Sequence, residues 1–363
     1  MKLKILEFCL SPALGGLELF VKSSFESFEK ETDCYICVAP DKKLDKIILS
    51  EKKTTLKRDK FFPFIPALKL AKFIDEKGID IIHFHWTRDI TTVVLAKLLS
   101  RKKPKIVQSR HMRMTRFKSD FYHKWLYSHI DMIHAVTKEV KEQLIKYIPQ
   151  DIRPDIEMVY LGVETPNIDD KKVQELKKQY NLKDEFIVGI IGRIEEGKGQ
   201  HLLVEAMVKL KDMDIKAFIV GSSMNDEYQN RLKSEVKKYK LEDKVLFSGF
   251  TDNVNEYMQL FDAVVLATTN ETFGLVVIEA MANKKCVIAV DKGGPLEIIK
   301  DGVDGLLFER DSSALAYKIE LLYKDEKLKQ KIALEGYNKV KKVFNKDIQM
   351  EKLYEKIYTS TKD

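Results

Sequence analysis

Short apolar runs rich in Val, Ile and Phe recur along almost the whole chain, and a segment with helical spacing follows most of them. Runs of this length and composition predict buried strands, and the segments between them are long enough for helices. Strands that alternate with helices form parallel sheets, because each crossover must cover a face of the sheet. The alternation therefore predicts an α/β fold with doubly wound sheets.

A polar stretch with a proline, Glu164–Asp170, interrupts this alternation and predicts a linker. A chain of 363 residues also favours two domains. We therefore predict domains over 1–165 and 166–345 and a terminal helix over 346–363. Predicted strands lie at 4–8, 34–39, 80–85, 105–109 and 132–136, the segment 157–162 closes the first half, and further strands are predicted at 186–191, 217–220, 245–247, 263–267, 287–289 and 305–308. The charged segment 42–60 is predicted to be irregular, and 117–128 to be helical.

The composition fits a chain with large cores and a water-exposed surface, since 44% of the residues are apolar and 33% are charged. No run of about 18 apolar residues is present, so we expect no membrane-spanning helix. The first residues lack the apolar core of a signal peptide, which predicts a cytoplasmic location. Four cysteines are too few for a disulfide framework in a chain of this size.

Positive charge is concentrated between Lys97 and Lys124, where ten basic residues accompany one acidic residue. Aromatic side chains and methionines are interleaved with these cations. Such a segment attracts polyanions or an anionic membrane surface. The alternative is a solvated basic helix whose aromatic residues form its core face.

The most informative segment for function is 262–279, which reads as a buried strand, a polar turn and an almost wholly apolar helix. Two carboxylates interrupt it: Glu271 before the helix and Glu279 in its second turn. A carboxylate in such surroundings is costly without a partner. Ligands of open α/β sheets bind at the carboxyl ends of strands, where this turn lies. The segment predicts a site for hydroxyl groups and, at the helix N-terminus, a phosphate.

The pattern Glu271-x-Phe273-Gly274-x4-Glu279 resembles the Glu-x7-Glu motif of the retaining glycosyltransferases of family 4, which have the GT-B fold. The resemblance implies that Glu271 contacts the donor sugar and that Glu279 binds the nucleotide ribose. The amides at Phe273, Gly274 and Leu275, at the N-terminus of the predicted helix, are expected to face the donor phosphate. The alternative is that both carboxylates only cap helices or form ion pairs.

A second glycine-rich segment, Gly192–Gly199, follows a predicted strand and precedes a helix. It nearly satisfies the Walker A pattern, but Gly199 stands where a hydroxyl residue would hold magnesium, which disfavours a P-loop nucleotidase. The segment resembles the family 4 element whose cations hold the donor diphosphate, here Arg193 and Lys198. The alternative is two solvated cations on a turn.

Gly15 and Gly16 follow the first strand, and His111 follows the fourth strand of the first half. No GxGxxG pattern is present, which counts against a nicotinamide cofactor. The resemblance implies that the two glycines lie under the donor phosphate and sugar and that His111, a candidate catalytic residue, lies near the donor sugar. A tight turn and a surface histidine remain the alternatives.

The candidates for a metal site are weak. His83 and His85 share one face of a predicted strand, but no acidic or cysteine partner is evident nearby, so we predict a pocket-lining or packing role. Cys34 and Cys37 face opposite sides of a strand. We expect no metal and no cofactor other than the donor substrate itself.

The family resemblance implies two Rossmann-like domains that face a central cleft, with the last helix crossing back to the first domain. It implies retaining, metal-independent transfer from a nucleotide-diphosphate sugar to a glycan or glycolipid, as in the synthesis of cell-surface polysaccharide or lipopolysaccharide. Two alternatives stay open. One is a nucleotide-sugar epimerase of the same fold, and the other is a non-catalytic basic protein that binds membrane or nucleic acid.

The acceptor side of the reaction is predicted from the basic segment. Arg110, Arg113, Arg116 and Lys118 are expected to dock the protein on the inner face of the cell membrane and to receive a lipid-linked acceptor. On this interpretation nucleic acid is not a partner.

Overall fold

The computed structural model describes residues 2–59, 62–223 and 226–360, and its contacts divide the chain into two units. Unit 1 comprises Met1–Leu161 with Asp347–Asp363, and unit 2 comprises Gly162–Lys346. Each unit contains one sheet in which all paired strands are parallel. The predicted α/β class with two doubly wound sheets is confirmed.

Unit 1 holds a seven-stranded sheet in the order β3-β2-β1-β4-β5-β6-β7. The order reverses beside β1, which pairs with β2 on one side and with β4 on the other. Its strands are β1 Lys4–Cys9, β2 Asp33–Val38, β3 Lys53–Thr55, β4 Ile81–Phe84, β5 Lys105–Arg110, β6 Met132–Ala135 and β7 Asp155–Met158, and its helices are α1 Gly16–Glu31, α2 Lys43–Ile47, α3 Phe64–Lys77, α4 Ile90–Leu99, α5 Phe121–Tyr127 and α6 Lys138–Tyr147.

Two sequence-based boundaries in unit 1 are wrong. The segment predicted to be irregular contains α2 and β3, and β3 pairs with β2 at the edge of the sheet. Helix α5 begins at Phe121 rather than at residue 117, because the Asp120 carboxylate accepts a hydrogen bond from the His123 amide at 3.1 Å and caps the helix there.

Unit 2 holds a six-stranded sheet in the order β10-β9-β8-β11-β12-β13, with the order reversing beside β8. Its strands are β8 Phe186–Ile191, β9 Ile215–Val220, β10 Val245–Gly249, β11 Ala263–Leu266, β12 Cys286–Val290 and β13 Leu306–Phe308, and its helices are α7 Asp170–Gln179, α8 Gln200–Lys209, α9 Asp226–Lys238, α10 Val254–Leu260, α11 Leu275–Ala282, α12 Pro295–Ile298, α13 Ser312–Lys324 and α14 Glu326–Val343.

The core of unit 2 packs tightly around the strand that adjoins the reversal. A side chain at Gly189 of β8 would place its Cβ 2.1 Å from the Phe261 ring, so only glycine fits there. Strands β11 and β12 are fully buried, as is β8 except at Ile191, and the carboxyl-end loops after β8 and β11 lead into the predicted donor residues of unit 2.

The last helix, α15 Lys346–Thr359, packs on unit 1. The Tyr354 ring lies 5.8 Å from the Phe28 ring of α1, and Lys356 forms an ion pair with Glu157 at 3.2 Å. Across the described residues, every helix is too short or too polar to span a bilayer.

Candidate active site

The glycine-rich loop after β8 is held in a shape that requires glycine at two positions. Gly199 has φ of 78°, caps the N-terminus of α8, and would place a Cβ 2.5 Å from the Ala267 carbonyl oxygen at the end of β11. Gly192 has φ of 144°, a conformation that other residues rarely adopt. The loop therefore lies against the end of the neighbouring strand, with Arg193 and Lys198 projecting from it.

Lys198 meets Glu271 at this edge of the sheet, with 3.4 Å between Nζ and the carboxylate. A backbone hydrogen bond of 2.8 Å from the Thr269 amide to the Gly197 carbonyl joins the two loops. Both charged groups remain partly exposed. Arg193 is more exposed and forms a longer contact of 3.5 Å with Glu195. The structure thus brings the two predicted loops of unit 2 together.

The turn before α11 leaves the N-terminus of the helix open to a ligand. Gly274 has φ of 103° and caps the helix, and Phe273 is buried against the Phe344 ring at 6.0 Å. Gly294 lies so close that a Cβ there would be 2.3 Å from the Phe273 carbonyl oxygen. The first amides of the helix, including that of Leu275, have no acceptor within the helix and carry its positive pole. This turn can bind an anion.

Glu279 lies one turn into α11, half-buried, and burial raises the pKa of its carboxyl to about 6. Among the residues that the structure describes, its carboxylate has no hydrogen-bond or ion-pair partner. A carboxylate that has lost water without gaining a partner destabilises the ligand-free protein. Hydroxyl groups of a ligand would supply the missing donors.

In unit 1 the loop after β1 is held in place by hydrogen bonds to the start of α1. The Ser11 hydroxyl donates to the buried Glu18 carboxylate at the start of α1, and the Leu19 amide donates to the Gly15 carbonyl at 3.0 Å. Gly15 is extended and caps the helix, which begins at Gly16.

His111 is half-buried at the carboxyl end of β5 rather than exposed on the surface. Its Nε2 lies 3.4 Å from Nδ1 of His85, and its ring packs edge-on against Phe20 of α1 at 5.0 Å. Burial holds the pKa of His111 well below its usual value, and His85, His134, His83 and Arg110 lower it further. The ring is neutral at physiological pH.

Behind His111 lies a buried polar cluster that the sequence did not predict, namely Glu7, His83, His85, Ser109 and His134. Glu7 contacts His83 at 2.8 Å and His85 at 2.6 Å, so the expectation that no acidic partner lies near these histidines is wrong. The pairing of β1 with β4 places Glu7 directly opposite His83. A single carboxylate inside an otherwise apolar strand was the available signal.

The basic segment divides into buried and exposed parts. The Arg110 guanidinium is buried and donates to the carbonyl oxygens of Met112 and Arg113 and to the Thr87 hydroxyl, so it is not available to a membrane surface. Arg113 pairs with Glu139 at 2.8 Å. Arg116 is exposed, and Lys118 is half-buried.

The chain is similar to known glycosyltransferases over both units. Residues 20–166 match the family Glycosyltransferase Family 4, and residues 172–339 match the family Glycosyl transferases group 1. The N-acetyl-alpha-D-glucosaminyl L-malate synthase of Bacillus anthracis is 30% identical over 80% of this chain and 77% of its own. The N-acetylgalactosamine-N,N'-diacetylbacillosaminyl-diphospho-undecaprenol 4-alpha-N-acetylgalactosaminyltransferase of Campylobacter jejuni is 29% identical over 77% of this chain and 78% of its own.

A solved structure supports the fold over the full length. The Anabaena protein HepE in complex with UDP and glucose superposes with a TM-score of 0.85, at 19% identity, covering 99% of this chain and 100% of that one. This likeness shows the fold, and the two matched families together with the relative that is 30% identical show that the chain belongs to the family 4 glycosyltransferases of the GT-B fold.

Proposed function

We propose that this chain is a retaining glycosyltransferase that moves a sugar from a nucleoside-diphosphate sugar to a glycan or lipid-linked acceptor, in the synthesis of cell-surface polysaccharide or lipopolysaccharide. The observation that carries the proposal is the grouping at one edge of unit 2. There a cation and a carboxylate lie 3.4 Å apart, beside a helix N-terminus that Gly274 leaves open.

The cations and the helix amides fit a leaving diphosphate. Arg193 and Lys198 would contact its oxygens, and the amides of Phe273–Leu275, at the N-terminus of α11, would face the charge that develops when the glycosidic bond breaks. Donors that are fixed before the reaction stabilise this charge without reorganising. The Nζ of Lys198 lies 3.4 Å from the Glu271 carboxylate, which is longer than a close ion pair. A phosphate oxygen can therefore take the place of this carboxylate as the partner of Lys198.

The two carboxylates fit the hydroxyl groups of the donor. Glu279 has no protein partner among the described residues, and a ribose diol would donate to both of its oxygens. Glu271 would accept from a hydroxyl of the transferred sugar and so orient its anomeric carbon. By the family resemblance, His111, Gly15 and Gly16 also serve the donor.

The proposed step breaks the bond from the anomeric carbon to the diphosphate oxygen and forms a bond to the acceptor oxygen on the same face. The acceptor proton passes to the leaving phosphate oxygen. None of these transfers requires a metal ion, since the charge is met by Arg193, Lys198 and backbone amides.

The relatives support the class of donor and acceptor. The Campylobacter enzyme acts, by its name, on an undecaprenol-linked diphosphate glycan, and HepE binds UDP. We therefore favour a uridine diphosphate donor and a lipid-linked acceptor for this chain.

A lipid-linked acceptor requires access to a membrane, and unit 1 offers a suitable surface. Phe121 of α5 is 88% exposed, and Phe64 and Ile65 at the start of α3 are more than half exposed. The Tyr122 hydroxyl contacts the Thr91 hydroxyl near the start of α4. Exposed aromatic residues beside cations are typical of proteins that bind anionic lipid interfaces.

These apolar side chains lie at one end of unit 1. Helices α3 and α4 pack side by side, and Asp75 near the end of α3 accepts hydrogen bonds from Ser100 and Arg101 at the end of α4. The two helices therefore run in the same direction and begin at the same end, and the contact between Tyr122 and Thr91 places the first turn of α5 beside the start of α4. We define the docking surface as the exposed apolar side chains Phe64, Ile65 and Phe121, with Arg116 and Lys118 of the loop before α5 as its proposed cations.

Product analysis with uridine, guanosine and adenosine diphosphate sugars tests the reaction. We expect one donor to yield a glycoside whose anomeric configuration, read by NMR, equals that of the donor. Inversion would reject the retaining mechanism. Release of free nucleotide and an altered sugar without any acceptor would instead identify an epimerase.

Chelation tests metal independence. We expect EDTA to leave the rate of transfer unchanged. Complete loss of activity that manganese restores would reject this part of the proposal and point to Asp212 and Asp214, whose Asp-x-Asp spacing suits a bound metal ion.

Liposome co-sedimentation tests the docking surface. Binding should require anionic lipid, weaken steeply with salt, and fall when Arg116 and Lys118 are changed to Glu or Phe121 to Ser. Lys238→Glu on α9 is the matched control and should bind as the wild type does. Wild-type protein that stays in the supernatant with anionic vesicles at low salt would favour a soluble acceptor.

A further inference from the structure

The polar cluster behind His111 forms one continuous chain of hydrogen bonds between the sheet of unit 1 and α1. It runs from the Val159 carbonyl through His134, Ser109 and His83 to Glu7, with successive distances of 2.7, 2.7, 2.8 and 2.8 Å. From Glu7 it continues to His85 at 2.6 Å and to His111 at 3.4 Å. The Ser24 hydroxyl of α1 also donates to Glu7, at 2.9 Å.

The spacing of the Glu7, His83 and His85 atoms fits hydrogen bonds better than shared metal ligands. Ligands about 2.0–2.1 Å from one tetrahedral zinc ion lie roughly 3.3 Å apart. The carboxylate oxygens of Glu7 lie only 2.8 and 2.6 Å from the two imidazole nitrogens. The second nitrogen of each ring is also engaged, by Ser109 and by His111.

The backbone carbonyl at one end of the chain fixes the position of every hydrogen. The Val159 carbonyl can only accept a hydrogen bond, so His134 carries its hydrogen on Nε2. Nδ1 of His134 then accepts a hydrogen bond from the Ser109 hydroxyl. The oxygen of Ser109 must then accept from Nε2 of His83. A hydrogen therefore remains between Nδ1 of His83 and Glu7, which makes the two an ion pair without net charge.

The same reasoning continues on the other side of Glu7. The carboxylate accepts from Nε2 of His85, so Nδ1 of that ring is left as an acceptor. The nearest group to it is Nε2 of His111, which must therefore be the donor. The second ring nitrogen of His111 then carries no hydrogen, and no partner for it is present among the residues that the structure describes.

We propose that Glu7 is a positioning residue which, through His85, holds His111 as a neutral ring with its hydrogen on Nε2 and a bare Nδ1 that accepts a hydrogen bond from a substrate hydroxyl. The role in substrate binding rests on the proposed function, whereas the order of hydrogens does not. His111 would orient a hydroxyl rather than donate to a phosphate.

The groups around the ring agree with this state. His111 faces His85 just after β4, His83 within β4, His134 from β6, Arg110 at the end of β5 and the apolar Phe20 from α1. Burial lowers the pKa of His85 to about 4 and that of His134 to about 3. Burial opposes ionisation of Glu7, but the two histidines outweigh it and lower its pKa to about 2.

Nitrogen-15 NMR of histidine-labelled protein tests the proposal, because protonated and bare ring nitrogens differ in shift. The chain has seven histidines, and His111→Asn identifies the signals of this ring. At pH 7 we expect His111 and His85 to carry hydrogen on Nε2 only, and His83 on both nitrogens. A wild-type His111 with its hydrogen on Nδ1, or as a mixture of tautomers, would overturn the proposal.

Two changes at Glu7 separate the order of hydrogens from the charge. In Glu7→Gln the amide can donate to His83 and to Ser24 while its oxygen still accepts from His85, so the His111 signals stay and His83 loses one hydrogen. In Glu7→Leu the acceptor for His85 is gone, and His111 should become a mixture of tautomers. The proposal would be contradicted if His111 carried its hydrogen on Nδ1 in the Gln variant, or if the tautomer of His111 were unchanged in the Leu variant.

Asp75→Asn, a carboxylate change in unit 1 away from the chain of hydrogen bonds, is the matched control and should leave every tautomer unchanged. If the Leu variant does not fold, the wild type and the Gln variant still decide. The NMR measurement needs no turnover and tests only the order of hydrogens. A failure of the proposed reaction would be recognised by the donor screen instead.

Discussion

Both units carry polar groups near the carboxyl ends of parallel strands, but these groups differ in burial and in how many hydrogen-bond partners they have within the protein. In unit 1 the cluster around Glu7 is fully buried, and each ring nitrogen of His83 and His134 has a partner within 2.8 Å. In unit 2 the Lys198–Glu271 pair is long at 3.4 Å, and Glu279 lacks a partner among the described residues. The Glu7 cluster of unit 1 completes its hydrogen bonds on folding, whereas Glu279 of unit 2 leaves its own for a ligand.

The contrast has a physical consequence in the response to pH. Burial lowers the pKa of His85 and His134, so the folded form of unit 1 resists protons that an unfolded chain would take up. Burial raises the pKa of Glu279, so the folded form of unit 2 gains from a proton there. Preorganisation in one unit and unmet hydrogen-bonding capacity in the other are thus distinguishable by experiment.

The largest effect is expected from removing a cation of unit 2. Arg193→Ala and Lys198→Ala should each lower kcat/KM for the donor by roughly 10²–10³, because a charge-assisted contact to the developing diphosphate is lost. Steady-state kinetics with the donor found in the screen provides the measurement. Lys238→Ala on α9 is the control, and wild-type rates in both loop variants would remove this loop from the site.

An intermediate effect is expected in unit 1 on mild acidification. His85 and His134 have folded pKa values near 4 and 3, so below about pH 6.5 the unfolded chain binds protons that the folded chain does not, and stability falls. The slope approaches about 1.4 kcal/mol per pH unit for each histidine only below pH 6.5, so the loss for the two together between pH 7 and 5.5 is roughly 2–3 kcal/mol. The contribution of Glu7, with its pKa near 2, is lost only at lower pH.

Hydrogen exchange at several pH values, read by mass spectrometry of peptides, checks this expectation. Peptides from β1, β4, β5 and β6 should lose protection as the pH falls from 7 to 5.5. Equal protection of these peptides at both pH values would show that the histidines are not buried as neutral groups.

The smallest effect is expected at Glu279. Its folded pKa of about 6 lies above that of an unfolded glutamate, so its cost is absent below about pH 4.5 and grows as the pH rises through 6. Glu279→Gln should therefore stabilise the ligand-free protein at pH 8 by on the order of 1 kcal/mol, or about 2–4 °C in Tm, while weakening donor binding. A lower Tm in this variant, by calorimetry, would mean that the carboxylate has a stabilising partner.

The sequence predicted the parts of this contrast that depend on local pattern. β-branched runs located β8 and β11, and the apolar segment after Gly274 located α11 to within a residue at each end. Helix α2 has five residues and β3 has three, too few for a periodic signal, which is why both were missed.

The partners in unit 1 could not be predicted, because they depend on strand pairing. Glu7 and His83 are 76 positions apart and meet only in the register of β1 with β4. Arg110 was assigned to a membrane surface from local charge, whereas its side chain points to the loop carbonyls of Met112 and Arg113. Charge in a sequence indicates neither which side of a strand is buried nor what lies there.

Isothermal titration of nucleoside-diphosphate sugars tests most directly the claim that unit 2 keeps its polar groups available for a donor. At least one donor should bind the wild type, with affinity at least tenfold weaker in Lys198→Ala and declining as the pH falls through 6, where Glu279 is protonated. Asp75→Asn should bind as the wild type does. If no donor binds, or if one binds Lys198→Ala and the wild type equally at every pH, the account of this site is contradicted.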